Sequence, residues 1–261
     1  MDSVALDELR RAKDVLEEPS LAIRIADRVG MPIEVLLRRL PASARDAIAA
    51  STRKALDASL DVALRTIDAS SAVGPADWLH RGAVIASGAM GGALGIPGLV
   101  LELPFSLTMM LRSIADHARA QGEDLSLVAT RLECLAVFAY GTRSTADDAA
   151  DSAYFATRAA LARAVSTAAE YAAERGLAEA VGEKSAPAIA QLVARIAQRL
   201  GVAVTDKAAA QLVPIAGAAG GAAINALFLN HYQETARAHF TVRRLERAFG
   251  VEVVRKAWER A

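Results

Sequence analysis

The chain has 261 residues, 53% of them apolar, and its 30 basic and 30 acidic side chains cancel. This length and apolar content allow a large buried core and exclude a disordered chain. Zero net charge gives no long-range attraction to nucleic acid, so we expect no nucleic-acid partner. The single cysteine, Cys134, excludes an intrachain disulfide, and the charged N-terminus is unlike a secretory signal. We therefore expect a cytoplasmic protein.

Apolar residues recur at helical spacing in the first part of the chain. This spacing predicts two short helices over 21–28 and 32–40 and a long helix over 43–68. Ser43 followed by Asp46 resembles a capping box, which would mark the start of the long helix. No sustained period-two alternation accompanies these patterns, so the sequence predicts an all-α fold, a multi-helix bundle.

Two long stretches, 82–101 and 208–229, contain no charged residue, and Glu102 lies just beyond the first. Each stretch is as long as a membrane-spanning helix, which requires about 20 residues. The first is rich in glycine and has few large side chains, so its insertion would be marginal. Glycines four residues apart, such as Gly217 and Gly221, instead let two helices approach closely. Close helix packing is therefore preferred, and membrane spanning is the alternative.

The two stretches also resemble each other. Residues 88–93, GAMGGA, align with residues 217–222, GAAGGA, and each precedes a longer helix. Alanine and glycine match easily by chance, so an internal duplication and a chance match stay equally open. A duplication would pack two glycine-rich helical hairpins about a pseudo-twofold axis. We expect one helical domain over 1–261, which such a duplication would divide into halves 1–141 and 152–261.

The second half of the chain is predicted to be helical as well. The apolar pattern predicts helices over 124–140, 152–181, 187–200 and 226–249. The polar stretch 141–148 interrupts this pattern and is predicted to be a loop between the halves. Gly201 is predicted to end the helix that precedes it.

Several motifs in both halves resemble the EcsC family. The first half contains the run 91–98, GGALGIPG, followed by the run ELP from Glu102 and the run GED from Gly122. The second half contains the more specific run 236–246, ARAHFTVRRLE. The resemblance extends over most of the chain and implies a bacterial protein. Because the family is named for a gene beside a bacterial ATP-driven transporter, it also implies a partner at the cytoplasmic membrane, such as an ABC-transporter subunit. The resemblance does not indicate which residues, if any, are catalytic.

Three ionisable residues lie on otherwise apolar helix faces. His231 lies on the inward stripe of the last long helix, Glu102 aligns with it when the glycine-rich stretches are superposed, and Glu133 lies in an apolar turn. Brought together between the hairpins, they would form a general-base site or hold a divalent metal, with Glu234 as a further ligand. The alternative for His231 is a hydrogen-bonded core residue, and Glu102 would satisfy backbone donors near Pro104.

Three further residues are candidates for binding an anion or a partner: Arg112, His239 and Arg243. His239 and Arg243 lie at i and i+4 of one helix, where both can contact one anionic group, and surface charge pairs are the alternative. For Arg112, an ion pair with Asp116 is the ordinary explanation. Trp78 would anchor at a membrane interface or pack in the core.

Two hypotheses of function follow. No phosphate-binding loop, nucleophile elbow or zinc-protease motif occurs in the sequence, so the standard nucleotide-binding and hydrolase classes lose support. We prefer a non-catalytic helical protein that is peripheral to the cytoplasmic membrane or associated with an ABC transporter. The alternative is a soluble enzyme, hydrolase-type or metal-dependent, that uses Glu102, Glu133 and His231.

Overall fold

The computed structural model describes residues 1–17, 21–67, 95–140, 153–176, 186–212 and 218–261, together with Gly82. All regular elements within these ranges are helices, which confirms the all-α prediction. The first four are α1 (Ser3–Glu17), α2 (Leu21–Val29), α3 (Ile33–Arg39) and α4 (Ala42–Arg65). Next come α5 (Gly95–Ala120), α6 (Val128–Ala136) and a 3-10 helix (Val137–Ala139). The last four are α7 (Ala153–Arg175), α8 (Pro187–Ala210), α9 (Ala218–Phe249) and α10 (Val251–Arg260).

The predicted helices of the first part are confirmed with shifts of a few residues, but the predicted capping box is not formed. Helix α4 begins directly after Pro41, and no side-chain hydrogen bond caps it. Ser43 therefore lies inside the first turn rather than before it. Proline fixes the backbone angle φ near −65°, which suits the entry to a helix without any side-chain cap.

Helix α8 continues through Gly201 to Ala210, so the predicted helix end at Gly201 is wrong. A glycine inside a helix costs only about 1 kcal/mol relative to alanine. The residues that follow it, from Ala203 to Ala210, are almost all buried. Their burial outweighs the weak helix propensity of Gly201.

The uncharged stretch 208–229 is not one helix, because it is divided between the end of α8 and the start of α9. The predicted glycine pairs, Trp78 and the predicted loop 141–148 lie wholly or partly outside the described residues.

Helices α8 and α9 form the centre of the molecule. Helix α8 packs against α2, α3, α4 and α7, and α9 packs against α1, α2, α5 and α10. Buried apolar side chains from every one of these helices join in one contiguous core. Helices α4 and α5 run side by side in the same direction, since Ser51 contacts Val100 and Thr66 contacts Arg112.

Candidate functional site

His239 and Glu133 lie at the centre of a buried polar network, called here the Glu133 cluster. The Nε2 atom of His239 on α9 lies 3.2 Å from Oε1 of Glu133 on α6. The hydroxyl of Tyr154, on α7, lies 2.8 Å from Nδ1 of the same histidine. The Tyr140 hydroxyl donates a hydrogen bond of 3.2 Å to Oε1 of Glu133. All four side chains are buried, so the cluster joins three helices inside the core.

Burial and neighbouring charges set the protonation states in the Glu133 cluster. Burial raises the pKa of Glu133, but the contact with His239 and the charges of Arg243 and Arg158 outweigh burial and lower that pKa to about 2. Burial lowers the pKa of His239, and Glu133 offsets this only in part. Burial also raises the pKa of Tyr154. At neutral pH the cluster therefore holds an ionised Glu133, a neutral His239 and a protonated Tyr154.

These protonation states assign the histidine tautomer. The ionised carboxylate of Glu133 beside Nε2 favours the tautomer that carries the ring hydrogen on Nε2, which leaves Nδ1 to accept the hydrogen of the Tyr154 hydroxyl. The spatial order of these groups, from the Tyr154 hydroxyl to the His239 imidazole to the Glu133 carboxylate, is that of a general-base relay. Among the described residues, a cavity of about 830 Å³ is lined by Arg158, Glu246 and neighbouring side chains but not by these three groups. Within the described part of the chain, these groups contact one another across three helices and so connect those helices.

Two arginines surround the Glu133 cluster with ion pairs. Arg243 on α9 donates two hydrogen bonds of 2.9 Å to the carboxylate of Glu123 and lies 3.9 Å from Oε1 of Glu133. Arg158 on α7 donates two hydrogen bonds, of 2.8 and 2.6 Å, to Glu246. Such paired bonds fix the direction of a guanidinium as well as its position. They therefore fix α7 and the end of α5 against α9.

The motif around Gly122 meets the motif of residues 236–246 in this network. Gly122 has φ of 77°, a backbone conformation that glycine adopts without strain. This turn places Glu123 beside both Arg243 and Arg247. The two sequence motifs that lie more than a hundred positions apart therefore encode the two sides of one structural contact.

Lys207 and Glu102 form a second buried polar cluster, between α8 and α5. Nζ of Lys207 lies 2.5 Å from Oε1 of Glu102 and 5.1 Å from the centre of the Phe228 ring. Ser106 donates a hydrogen bond to Oε2 of Glu102, and so does the Asn225 side chain, at 3.3 Å. Burial raises the pKa of Glu102, but the lysine charge and these hydrogen bonds outweigh burial and lower it overall. Glu102 is therefore ionised within the core.

Helix α5 carries an apolar face that the core does not cover. Leu101 is 76% exposed and Phe105, one turn later, is 47% exposed. Pro97, one turn earlier, is exposed as well. Within the described residues, α5 is the one helix long and apolar enough to cross a membrane, with a mean hydropathy of 1.3, but 61% of its apolar window is buried. A core helix passes the same test, so the exposed face is the more informative feature.

Basic side chains lie on α4 at the level of this apolar face. Ser51 on α4 donates a hydrogen bond of 2.9 Å to the carbonyl of Val100, the residue before Leu101. Arg53 and Lys54 follow Ser51 within one turn, and both are exposed. At about 100° per residue, Lys54 lies roughly 60° around the helix axis from Ser51 and therefore close to this apolar face, whereas Arg53 points towards α3 and α8.

A family model described as the EcsC protein family matches residues 4–245. The chain belongs to the EcsC protein family. No curated protein matches this EcsC chain, and no solved structure does. The matched range includes both buried clusters and the exposed face of α5. Glu246, the partner of Arg158, lies one residue beyond it.

The EcsC chain does not bring Glu102, Glu133 and His231 together. Glu102 contacts Asn225 of α9, whereas Glu133 contacts His239 of the same helix. At 1.5 Å per residue, positions 225 and 239 lie roughly 21 Å apart along the helix axis. The predicted single site between the hairpins is therefore not formed, and the cation beside Glu102 comes from α8 instead of from His231.

His231 and Glu234 have different surroundings from those predicted. His231 is buried, and its Nε2 atom has no hydrogen-bond partner in the described part of the chain. Burial, and next the charge of Arg24, lower the pKa of His231 to about 4, so it is neutral. Glu234 forms an ion pair of 2.6 Å with Arg24. No group of three acidic, histidine or cysteine residues suited to a metal occurs among the described residues, which leaves the predicted divalent-metal site without a structural basis.

The predicted anion-binding residues contact groups of the EcsC chain itself. His239 and Arg243 do lie beside one carboxylate, as their spacing predicts, but that carboxylate is Glu133. His239 is fully buried, so the alternative of a surface charge pair is wrong for this residue. Arg112 donates a hydrogen bond of 3.2 Å to the Thr66 hydroxyl.

Proposed function

We propose that this EcsC-family protein binds the surface of an anionic membrane through the first half of α5. The observation that supports the proposal is the exposure of Leu101 and Phe105 on one face of the most apolar helix described. Leu101 is the last residue of the uncharged stretch 82–101, and Phe105 lies one helical turn beyond it. Such a surface, flanked by Lys54, has the composition of a face that lies in a membrane interface.

The expected strength of binding can be estimated from these side chains. Complete burial of a leucine or phenylalanine contributes roughly 1.5–3 kcal/mol, and Leu101 and Phe105 are already partly buried. The two together therefore contribute about 3 kcal/mol, too little for stable attachment. Each basic side chain near an anionic surface adds about 1 kcal/mol. Binding is therefore reversible and depends on anionic lipid.

Helix α5 lies on the membrane in this proposal and does not cross it. Its opposite face carries Leu103 and Leu107 into the core and Glu102 onto the buried lysine of α8. Insertion across a bilayer would break that ion pair and expose a buried charge, at a cost of several kcal/mol. The enzyme alternative has no comparable support, because its three residues do not meet.

Flotation with lipid vesicles tests the proposal. We expect the protein to float with vesicles of phosphatidylglycerol and phosphatidylcholine at low salt, and to stay at the bottom with phosphatidylcholine alone. The double variant Leu101→Glu/Phe105→Glu should lose flotation. The matched control is Val4→Glu/Ile23→Glu, at side chains 66% and 45% exposed on α1 and α2, which should float like the wild type.

Failure of the wild type to float with anionic vesicles would contradict the proposal. Binding to native membranes without binding to vesicles would contradict it too, and would indicate a protein partner. An ABC-transporter subunit, implied by the gene context of the family, is the partner we would then test.

A further inference from the structure

A cavity of about 670 Å³ lies where α3, α4 and α8 meet, away from both buried clusters. Small residues of α4 and α8, among them Ala49, Ala197 and Gly201, leave the space open. Leu37 and Val202 supply aliphatic walls. The volume lies within the range of about 300–1,000 Å³ typical of small-molecule sites.

Asp206 lines this cavity and is only 6% exposed. Within the described part of the chain, no hydrogen bond or ion pair reaches its carboxylate. Burial, and next the charge of Glu34, raise the pKa of Asp206 to about 7. A buried carboxylate without a partner costs free energy that folding alone does not recover. Asp206 therefore faces the cavity as a carboxyl group without a partner, and above pH 7 it is mostly ionised there and lacks a counter-ion.

Arg53 lines the same cavity from α4. Its guanidinium is exposed, and among the described residues it forms no ion pair, not even with Asp206. One cavity therefore presents a carboxylate in its wall and a guanidinium at its edge, each without a partner. A simple amine would be attracted by Asp206 and repelled by Arg53. A simple anion would be attracted by Arg53 and repelled by Asp206.

We propose that the cavity binds a small zwitterion, whose ammonium group pairs with Asp206 and whose anionic group pairs with Arg53. Leu37 and Val202 then contact an aliphatic body. Two sources supply this chemistry, a free aliphatic amino acid and a phosphoethanolamine group. A hard divalent cation does not fit, since it takes six or more oxygen ligands and the cavity supplies one carboxylate. The inference is independent of the membrane proposal.

Calorimetric titration at pH 8 with three matched probes tests the inference. The probes are L-leucine, 3-methylbutylamine, which lacks the carboxylate, and 4-methylpentanoate, which lacks the ammonium. O-phosphoethanolamine, titrated separately, distinguishes the second source. We expect binding of L-leucine or O-phosphoethanolamine, with the amine and the acid at least tenfold weaker than L-leucine if the amino acid is the ligand.

Two variants connect the binding to the residues. Asp206→Asn and Arg53→Gln should each weaken binding of the zwitterion at least tenfold, whereas Lys54→Gln, the adjacent exposed cation of α4, should bind like the wild type. Asp206→Asn should unfold at the same or a higher denaturant concentration than the wild type at pH 8, because it removes an unpaired buried charge. If Asp206→Asn keeps this stability, its loss of binding cannot be explained by loss of the fold. Failure of both zwitterions to bind at millimolar concentration, equal binding of the amine, or wild-type affinity in Asp206→Asn would overturn the inference.

Discussion

Nζ of Lys207 lies 2.5 Å from Oε1 of Glu102, and the lysine has no exposed surface at all. The pair connects α8 to the buried side of α5, next to the exposed Leu101. Two charges removed from water are tolerated only because each satisfies the other and Ser106 and Asn225 complete the bonding of the carboxylate. The position of the exposed α5 face therefore depends on an ion pair inside the protein.

Substitution of one partner of this pair should be more damaging than substitution of both. Lys207→Met leaves an ionised Glu102 without its cation, and we expect the free energy of unfolding to fall by about 3–5 kcal/mol. Glu102→Gln/Lys207→Met should be less damaging than the sum of the single variants by about 2 kcal/mol. Urea denaturation of the four proteins measures this coupling. Simple additivity would show that the pair does not stabilise the contact between the helices.

Glu133→Gln should destabilise the protein in a pH-dependent way. The folded-state pKa of Glu133, about 2, is below its ordinary value of 4.5, so its ionisation contributes stability above pH 4.5 that is lost as the pH falls towards 2. We expect Glu133→Gln to lower the free energy of unfolding by about 3 kcal/mol at pH 7. The difference from the wild type should shrink by more than half at pH 3.

A matched substitution serves as the control for Glu133→Gln. Glu170 is exposed and accepts a hydrogen bond from Ser166 one turn away on the same helix. Glu170→Gln should change stability by less than about 0.5 kcal/mol at either pH. An equal effect of Glu133→Gln at pH 7 and pH 3 would show that folding does not lower the pKa of Glu133.

Two glycines should respond in opposite ways to substitution by alanine. Gly122 has a left-handed backbone, and Gly122→Ala should lower the free energy of unfolding by about 1–2 kcal/mol. Gly201 lies inside α8, and an added Cβ atom would have nothing within 4 Å of it. Gly201→Ala should therefore raise the free energy of unfolding by about 0.5–1 kcal/mol. Thermal and chemical unfolding of both variants measures the difference. A destabilised Gly201→Ala would show that the helix needs glycine at this point.

The helices could be predicted from the sequence because their apolar periodicity is local information. The first part shows this well, where the observed α2 and α3 differ from the predicted ranges by one residue at their ends. The helix ends at Ser43 and Gly201 were misassigned for a common reason. At the start of α4, Pro41 outweighed the local capping signal of Ser43. Within α8, the burial of the residues after Gly201 outweighed the tendency of glycine to end a helix.

The polar clusters could be predicted only in part. The sequence singled out Glu102, Glu133 and His239, all of which the structure places in buried clusters, but it paired them wrongly. Pairing depends on which helices pack together, and periodicity along one helix says nothing about its neighbours. Lys207 was missed, although a lone lysine followed by three alanines is a sequence signal for a buried cation that needs a carboxylate.

Asp206 was missed as well. It directly precedes Lys207, and two adjacent opposite charges in a sequence suggest a mutual pair. In the helix they point in different directions, because successive residues are about 100° apart around the axis. Lys207 therefore reaches Glu102, while Asp206 faces the cavity between α3 and α4.

Fluorescence from a dye at position 101 tests the membrane proposal most directly. Cys134 is buried, and burial raises the pKa of its thiol, so the variant Leu101→Cys has one reactive thiol for an environment-sensitive label. Val4→Cys, labelled in the same way, is the control. On addition of phosphatidylglycerol vesicles, we expect the emission at position 101 to shift to shorter wavelength and to become protected from an aqueous quencher, while position 4 stays unchanged. An unchanged spectrum and full quenching at position 101 with anionic vesicles present would contradict the proposal.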